Sequence, residues 1–190
     1  MRVPDFKISP GKEISDLFIQ KGITDFSSAC RYIKHLPYRR TSSKMDLPLV
    51  LTEERGTCST KHAVLTILAE ENGFHDIKLM MGIFKMCGDT VKGISSILEK
   101  YGLCYIPEAH NYIMYNGRRY DFTFTGLNED LIFEGVMNEI EINASQIGQY
   151  KIDYHKNFLD KWFAENYKES NLTLEDIWNI REECIKRLSR

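Results

Sequence analysis

Apolar residues recur at helical spacing near both ends of the chain and at strand spacing in its middle. From Pro10 to Lys21, Ile14, Leu17 and Phe18 share one face, and Gly22 supplies a stop. Thr24 is a candidate N-cap for a second helix carrying Phe26, Ala29, Cys30 and Ile33, which Pro37 ends. Tyr38 to Arg55 is rich in polar residues and reads as irregular. Cys58 to Glu71 carries Ala63, Val64, Leu65, Ile67, Leu68 and Ala69. That leaves little polar face, so this helix should be central and buried on most sides. Asn72-Gly73 stops it.

Ile77 to Cys87 reads as a strand, and Thr90 to Lys100 as a short helix before Gly102. His110 to Tyr115 and Arg118 to Phe124 flank Asn116-Gly117, a strong hairpin signal. Asn138 to Asn143 alternates like another strand, and Gln149 to Tyr154 reads as one more. Two amphipathic helices follow. One carries Phe158, Leu159, Trp162 and Phe163; the other opens at Thr173-Leu174-Glu175-Asp176 and carries Ile177, Trp178, Cys184, Ile185 and Leu188. Helices, hairpin-connected strands and helices again indicate an α+β class. We expect a single domain over 1–190, with N-terminal helices in 1–37, a core in 38–125, further strands in 126–154 and C-terminal helices in 155–190.

The hairpin sets a register. A two-residue turn at Asn116-Gly117 pairs Tyr115 with Arg118, Met114 with Arg119, Ile113 with Tyr120, Tyr112 with Asp121 and His110 with Thr123. His110 and Asp121 are then diagonal neighbours on one sheet face, about 7–8 Å apart at the backbone and within reach of a histidine–carboxylate hydrogen bond. A slip of one residue would separate them.

Composition narrows the partners. The chain has 190 residues, 43% apolar and 27% charged, with a net charge of −2. No basic field favours nucleic acid, and Arg39-Arg40 and Arg118-Arg119 read as solvated surface or carboxylate partners rather than a phosphate track. Met1 to Pro10 lacks an apolar stretch of export length, and no membrane association is expected. The five cysteines have no paired spacing, which suits reduced thiols and a cytoplasmic location. Asn143-Ala144-Ser145 and Asn171-Leu172-Thr173 then read as chance rather than glycosylation sites.

Cys30, Cys87, Cys104 and Cys184 read as small buried apolar residues. Cys58 differs, because it sits in polar Gly56-Thr57-Cys58-Ser59-Thr60 at a helix start. The unpaired N–H groups and partial positive charge of that end favour a thiolate and can hold an oxyanion. Cys58 as nucleophile, His110 as proton carrier and Asp121 as its orienter form a coherent set. An alternative is metal ligation by Cys58, His62 and His110, since Cys58 and His62 share a helical face. The helix-start thiol and the missing second Cys/His pair argue against it, so no metal is expected. No phosphate-cradling glycine loop is present, and no cofactor is expected. His35, His75 and His155 read as surface residues.

Gly56-Thr57-Cys58 before an apolar helix, a strand with His110 and then Tyr120-Asp121 resemble the transglutaminase-like superfamily of papain-like cysteine enzymes. The resemblance covers Tyr38 to Thr125. It implies a Cys-bearing central helix packed on an antiparallel sheet bearing His110 and Asp121, with flanking helices. It implies a hydrolase or acyltransferase acting on a peptide, protein or small amide or ester, with a thioester at Cys58. Thr52, Arg55 and Tyr38 are candidates for a further oxyanion donor. Asn111-Tyr112 departs from the aromatic pattern many members carry after the histidine. Arylamine N-acetyltransferases resemble the same set more distantly, through Arg55-Gly56, although Thr57 replaces their usual second glycine. A non-catalytic binding protein on the same scaffold is the reading from another class.

Overall fold

A computed structural model describes residues 3–125, 129–167 and 171–188. It is an α+β structure. The first two helices, α1 (Glu13–Gln20) and α2 (Phe26–His35), are followed by a four-residue turn of helix, α3 (Leu49–Thr52), and the long α4 (Cys58–Glu71). Strand β1 (Lys78–Met86) leads through α5 (Ser95–Lys100) to β2 (Ile106–Tyr115) and β3 (Arg118–Tyr120). Next come α6 (Glu129–Glu134), β4 (Val136–Ile142), a 3-10 turn (Ala144–Ile147), α7 (Gln149–Asn166) and α8 (Leu174–Leu188).

The four strands form one antiparallel sheet in the order β3-β2-β1-β4. Helix α4 lies between this sheet and the N-terminal helices. Val64, Leu65 and Leu68 join Phe18, Phe26 and Ile33 of α1 and α2 in one apolar cluster. Ala63 joins Leu79, Met81, Ile83 and Ala109 of the sheet in another. Eleven of its residues are buried, so packing on both sides rather than an amphipathic stripe holds it. It ends in a Schellman motif: Gly73 takes a left-handed φ of +82°, and Phe74 N–H donates to Ala69 O at 2.9 Å. A third cluster joins Phe84, Met86 and Ile106 to Leu159 and Trp162 of α7 and Ile177 and Ile180 of α8.

The hairpin register is the expected one where the ladder exists. Ile113 pairs with Tyr120, Met114 with Arg119 and Tyr115 with Arg118. Asn116 and Gly117 both have positive φ, +48° and +71°, as a type I′ turn requires.

Several boundaries differ from expectation. Strand β3 stops at Tyr120, so Asp121 and Thr123 lie past the ladder. The cap of α2 is Asp25, whose Oδ1 accepts from Ser28 N–H at 2.8 Å. Thr24 is taken out of that role because its carbonyl accepts from Ile8 N–H as the chain pairs with the N-terminal segment. The stretch expected to be irregular contains α3. Gln149 to Tyr154 is the start of α7, not a strand. The buried face of α7 runs Lys151, His155, Leu159, Trp162, a helical spacing whose first two members are polar and so carry no apolar signal. His155 is accordingly buried, not on the surface. Cys104 is exposed and Cys87 half-buried, while Cys30 and Cys184 are buried. Asn171-Leu172-Thr173 lies before α8, at the edge of the described residues. Among the described residues no helix is long and apolar enough to cross a membrane.

Candidate active site

Cys58 is the first residue of α4. The chain is led there by Gly56, which pairs with the segment around Tyr38: Gly56 N–H donates to Pro37 O and Arg39 N–H to Gly56 O, both at 3.1 Å. A Cβ at Gly56 would lie 2.9 Å from Lys61 Cγ and 3.0 Å from Thr60 Oγ1, so the close approach requires glycine. Thr57 N–H donates to Thr60 Oγ1 at 3.0 Å, closing the first turn. The N–H groups of Cys58 and Ser59 have no acceptor within the helix, as at any helix start.

His110, on β2, is opposite Gly82 of β1. Its Nε2 is 2.5 Å from Asp121 Oδ2, and Asp121 Oδ1 accepts from Thr123 N–H at 2.8 Å. Carboxylate and ring are both buried. The imidazole and the Cys58 sulfur border the same crevice, and the charge of each shifts the other. With Nε2 held by Asp121, Nδ1 is the nitrogen left for the sulfur. All three sequence-predicted residues therefore meet.

The early end of β3 shapes the site. Since β3 pairs only with Ile113 to Tyr115, the outer edge of β2 is unladdered over His110 and Asn111. The Asn111 backbone N–H at this position is one of the groups that lower the Cys58 thiol. Two consecutive residues of β2 thus lower one thiol, His110 by its ring and Asn111 by its backbone.

His62 ties the helix to the aspartate segment. Its Nε2 accepts from Phe122 N–H at 2.8 Å. The ring proton is therefore on Nδ1, which donates to Cys58 O at 2.8 Å. Burial first, against the opposing Asp121 charge, pushes the imidazole down to about 4, so His62 is neutral. Both nitrogens are engaged, which removes it from the metal-ligand set considered from sequence. Among the described residues no group of His, Cys, Asp or Glu is arranged to hold a metal ion. Buried Lys61 adds a second tie, donating to Leu36 O at 2.5 Å and Thr123 O at 2.6 Å.

Sequence reasoning missed Lys151. From α7 its Nζ reaches Asn111 Oδ1 at 2.6 Å, Ser59 Oγ at 2.9 Å and Cys58 Sγ at 3.8 Å. Ser59 Oγ also donates to Asn111 Oδ1 at 2.9 Å, and Asn111 Nδ2 to Met80 O at 2.9 Å. No apolar pattern marks it, because the buried face of α7 opens with two polar residues, Lys151 and His155.

These contacts set the charge state. Burial alone would raise the Cys58 thiol, but the Lys151 ammonium and the His110 imidazolium outweigh it and bring it down to about 5. Burial would lower His110, yet the Asp121 and Cys58 charges lift it to about 10. Asp121 resists its burial through the same imidazole and stays far below the usual carboxylate range. At neutral pH the site holds a thiolate–imidazolium pair on a carboxylate.

Cys58 opens on two sides. One is a cavity of about 310 Å³ walled by Tyr38, Arg40, Lys44, Lys151 and Arg181. The other is a crevice of about 30 Å³ lined by Phe84, Met86, Val91, Ile132 and the Thr123 side chain. Tyr38 borders both. Burial and then the Cys58 charge hold its phenol protonated well above the ordinary range, so it is a donor. Thr52 and Arg55 line neither space: Thr52 Oγ1 donates to Pro48 O at 3.4 Å, and Arg55 Nε to Glu53 at 2.9 Å.

Comparison with protein-family models, curated proteins and solved structures finds no match. The chemistry of the site therefore rests on its own geometry.

Proposed function

We propose that this protein is a cysteine-dependent hydrolase or acyltransferase of transglutaminase-like arrangement. The observation that carries the reading is the buried chain Cys58–His110–Asp121, with Nε2 of His110 2.5 Å from the carboxylate and the thiol depressed to about 5.

In this reading the Cys58 thiolate attacks an amide or ester carbonyl. The tetrahedral oxyanion is met by the free N–H groups opening α4 and by the Tyr38 hydroxyl. His110, already protonated, gives its proton to the leaving amine or alcohol as the C–N or C–O bond breaks, which leaves a thioester on Cys58. Neutral His110 then takes a proton from water or an acceptor amine. That nucleophile attacks the thioester, the C–S bond breaks, and the thiolate–imidazolium pair returns. Asp121 holds the ring orientation throughout.

The test is acyl-enzyme trapping. The protein is mixed with 4-nitrophenyl acetate, quenched in acid, and mapped by peptide mass spectrometry. The expected result is one acetyl group on Cys58, nitrophenol release in a burst, and neither in Cys58→Ala. Acetylation spread over lysines, or persisting unchanged in Cys58→Ala, would overturn the reading.

A further inference from the structure

The walls of the larger cavity are unevenly charged. Arg40, Lys44, Lys151 and Arg181 face it, against the single carboxylate of Glu108. An adjoining space of about 380 Å³ shares those four cations and adds Glu182. Both carboxylates are already engaged. Glu108 takes a two-pronged contact from Arg181, Nε to Oε2 at 2.7 Å and Nη2 to Oε1 at 2.6 Å. Glu182 is held by Arg181 and by Arg40, the latter at 3.0 Å. Lys151 is spent on Ser59, Asn111 and the thiolate.

Lys44 is left over. Half-buried on the same wall, it has no hydrogen bond or ion pair to a carboxylate among the described residues. Its burial, followed by repulsion from Lys151, brings the ammonium down to about 8. A desolvated cation beside further cations is costly unless an anion joins it.

We infer that Lys44 is a specificity-determining residue that recognises a carboxylate on the acyl portion of the substrate, so that the enzyme acts on amides or esters of small acids bearing a second, free carboxylate. This rests on the proposed function above and names its substrate class. The carbonyl is attacked at Cys58 while the second carboxylate lies in the cavity against Lys44, with Arg40 at the outer rim. Neutral acyl groups of the same size lack that ion pair.

Two alkylating agents that differ in charge test this without requiring turnover. In each, the Cys58 thiolate displaces iodide and a C–S bond forms; iodoacetate carries a carboxylate where iodoacetamide carries a neutral amide. The rate ratio of iodoacetate to iodoacetamide at Cys58, measured at pH 7, should exceed that of the unfolded protein. In Lys44→Met the ratio should fall by about tenfold, the loss of one charge-assisted contact in a partly buried site. Lys44→Gln should match it and Lys44→Arg should recover most of it. A change in thiolate content cancels in the ratio. Equal ratios in wild type and both neutral variants, with Cys58 still fast toward both agents, would overturn the inference and leave the proposed function standing. Failure of Cys58 to outpace the other cysteines toward either agent would overturn both. A second arm compares the free acid and methyl ester of mono-4-nitrophenyl glutarate after subtraction of each one's enzyme-free rate, where the free acid should be the faster substrate and Lys44→Met should remove the Cys58-dependent difference.

Discussion

Lys151 Nζ lies 3.8 Å from Cys58 Sγ across 93 positions of sequence. The contact gives the thiol a second cation besides His110. In the more familiar two-residue arrangement the imidazolium alone would hold the thiolate. Here the first buried turn of α7 contributes an ammonium that also fixes Ser59 and Asn111 around the sulfur.

Lys151→Met should therefore raise the thiol from about 5 toward its ordinary value of about 8.5. His110 and Asn111 N–H remain, so the rise should be partial. The pH at which iodoacetamide alkylation of Cys58 reaches half its maximum measures it. A midpoint unmoved by the substitution would show that His110 holds the thiolate unaided.

Asp121→Asn acts at the other end. The Asp121 charge is the largest of the forces lifting His110 toward about 10 against its burial. The reactive pair exists above the thiol pKa and below the imidazole pKa, so kcat/KM should rise near pH 5 and fall near pH 10. Removing the carboxylate should bring the alkaline limb down by one unit or more, roughly the effect of an adjacent opposite charge, and lower kcat by about 10²- to 10⁴-fold. An alkaline limb unchanged in Asp121→Asn would remove Asp121 from the role.

How much of this was legible in the sequence follows from the type of signal each residue carried. Cys58 was visible because a polar Gly-Thr-Cys-Ser-Thr run meets an apolar helix. The Asn116-Gly117 turn set the relation of His110 to Asp121, because two positive φ values leave few other registers open. Lys151 was not visible. A buried helical face that starts with Lys151 and His155 is held by polar contacts to Asn111, Ser59 and Pro107 O, so hydrophobic periodicity is silent there. The same holds for His62, whose two hydrogen bonds run to backbone groups that no residue pattern reveals. The end of β3 at Tyr120 was hidden as well: Asp121 turns its carboxylate to His110 and Thr123 N–H, leaving the ladder for side-chain contacts.

His62 should make stability acid-sensitive. Its folded pKa of about 4 lies below the unfolded value of about 6.5. Between these the unfolded chain binds a proton that the folded protein refuses. Stability should thus be complete above pH 6.5, fall as the pH drops toward 4, and level off below for this group. The span corresponds to up to about 3 kcal/mol at 1.36 kcal/mol per unit. Urea unfolding midpoints of wild type and His62→Gln over pH 4 to 7 measure it. His62→Gln should start lower, because it disturbs the Cys58 O and Phe122 N–H contacts, but lose less on acidification. Parallel curves for the two proteins would show that His62 is not the group responsible.

Tyr38→Phe isolates the oxyanion contribution. Tyr38 stands where the cavity and the crevice meet at Cys58, and its protonated phenol feels the thiolate charge directly. The ring also packs edge-on against Phe124, with centroids 5.8 Å apart, and phenylalanine preserves that contact. Loss of one donor aimed at a developing oxyanion costs about 10²- to 10³-fold in kcat. The helix N–H groups share the load at this site, so the lower end is expected. Alkylation by iodoacetamide develops no oxyanion, so its rate should fall far less than acyl transfer does. Parallel losses in alkylation and acyl transfer would mean that Tyr38 tunes the thiol rather than the transition state, and acyl transfer at the wild-type rate would leave the N–H groups opening α4 as the sole donors.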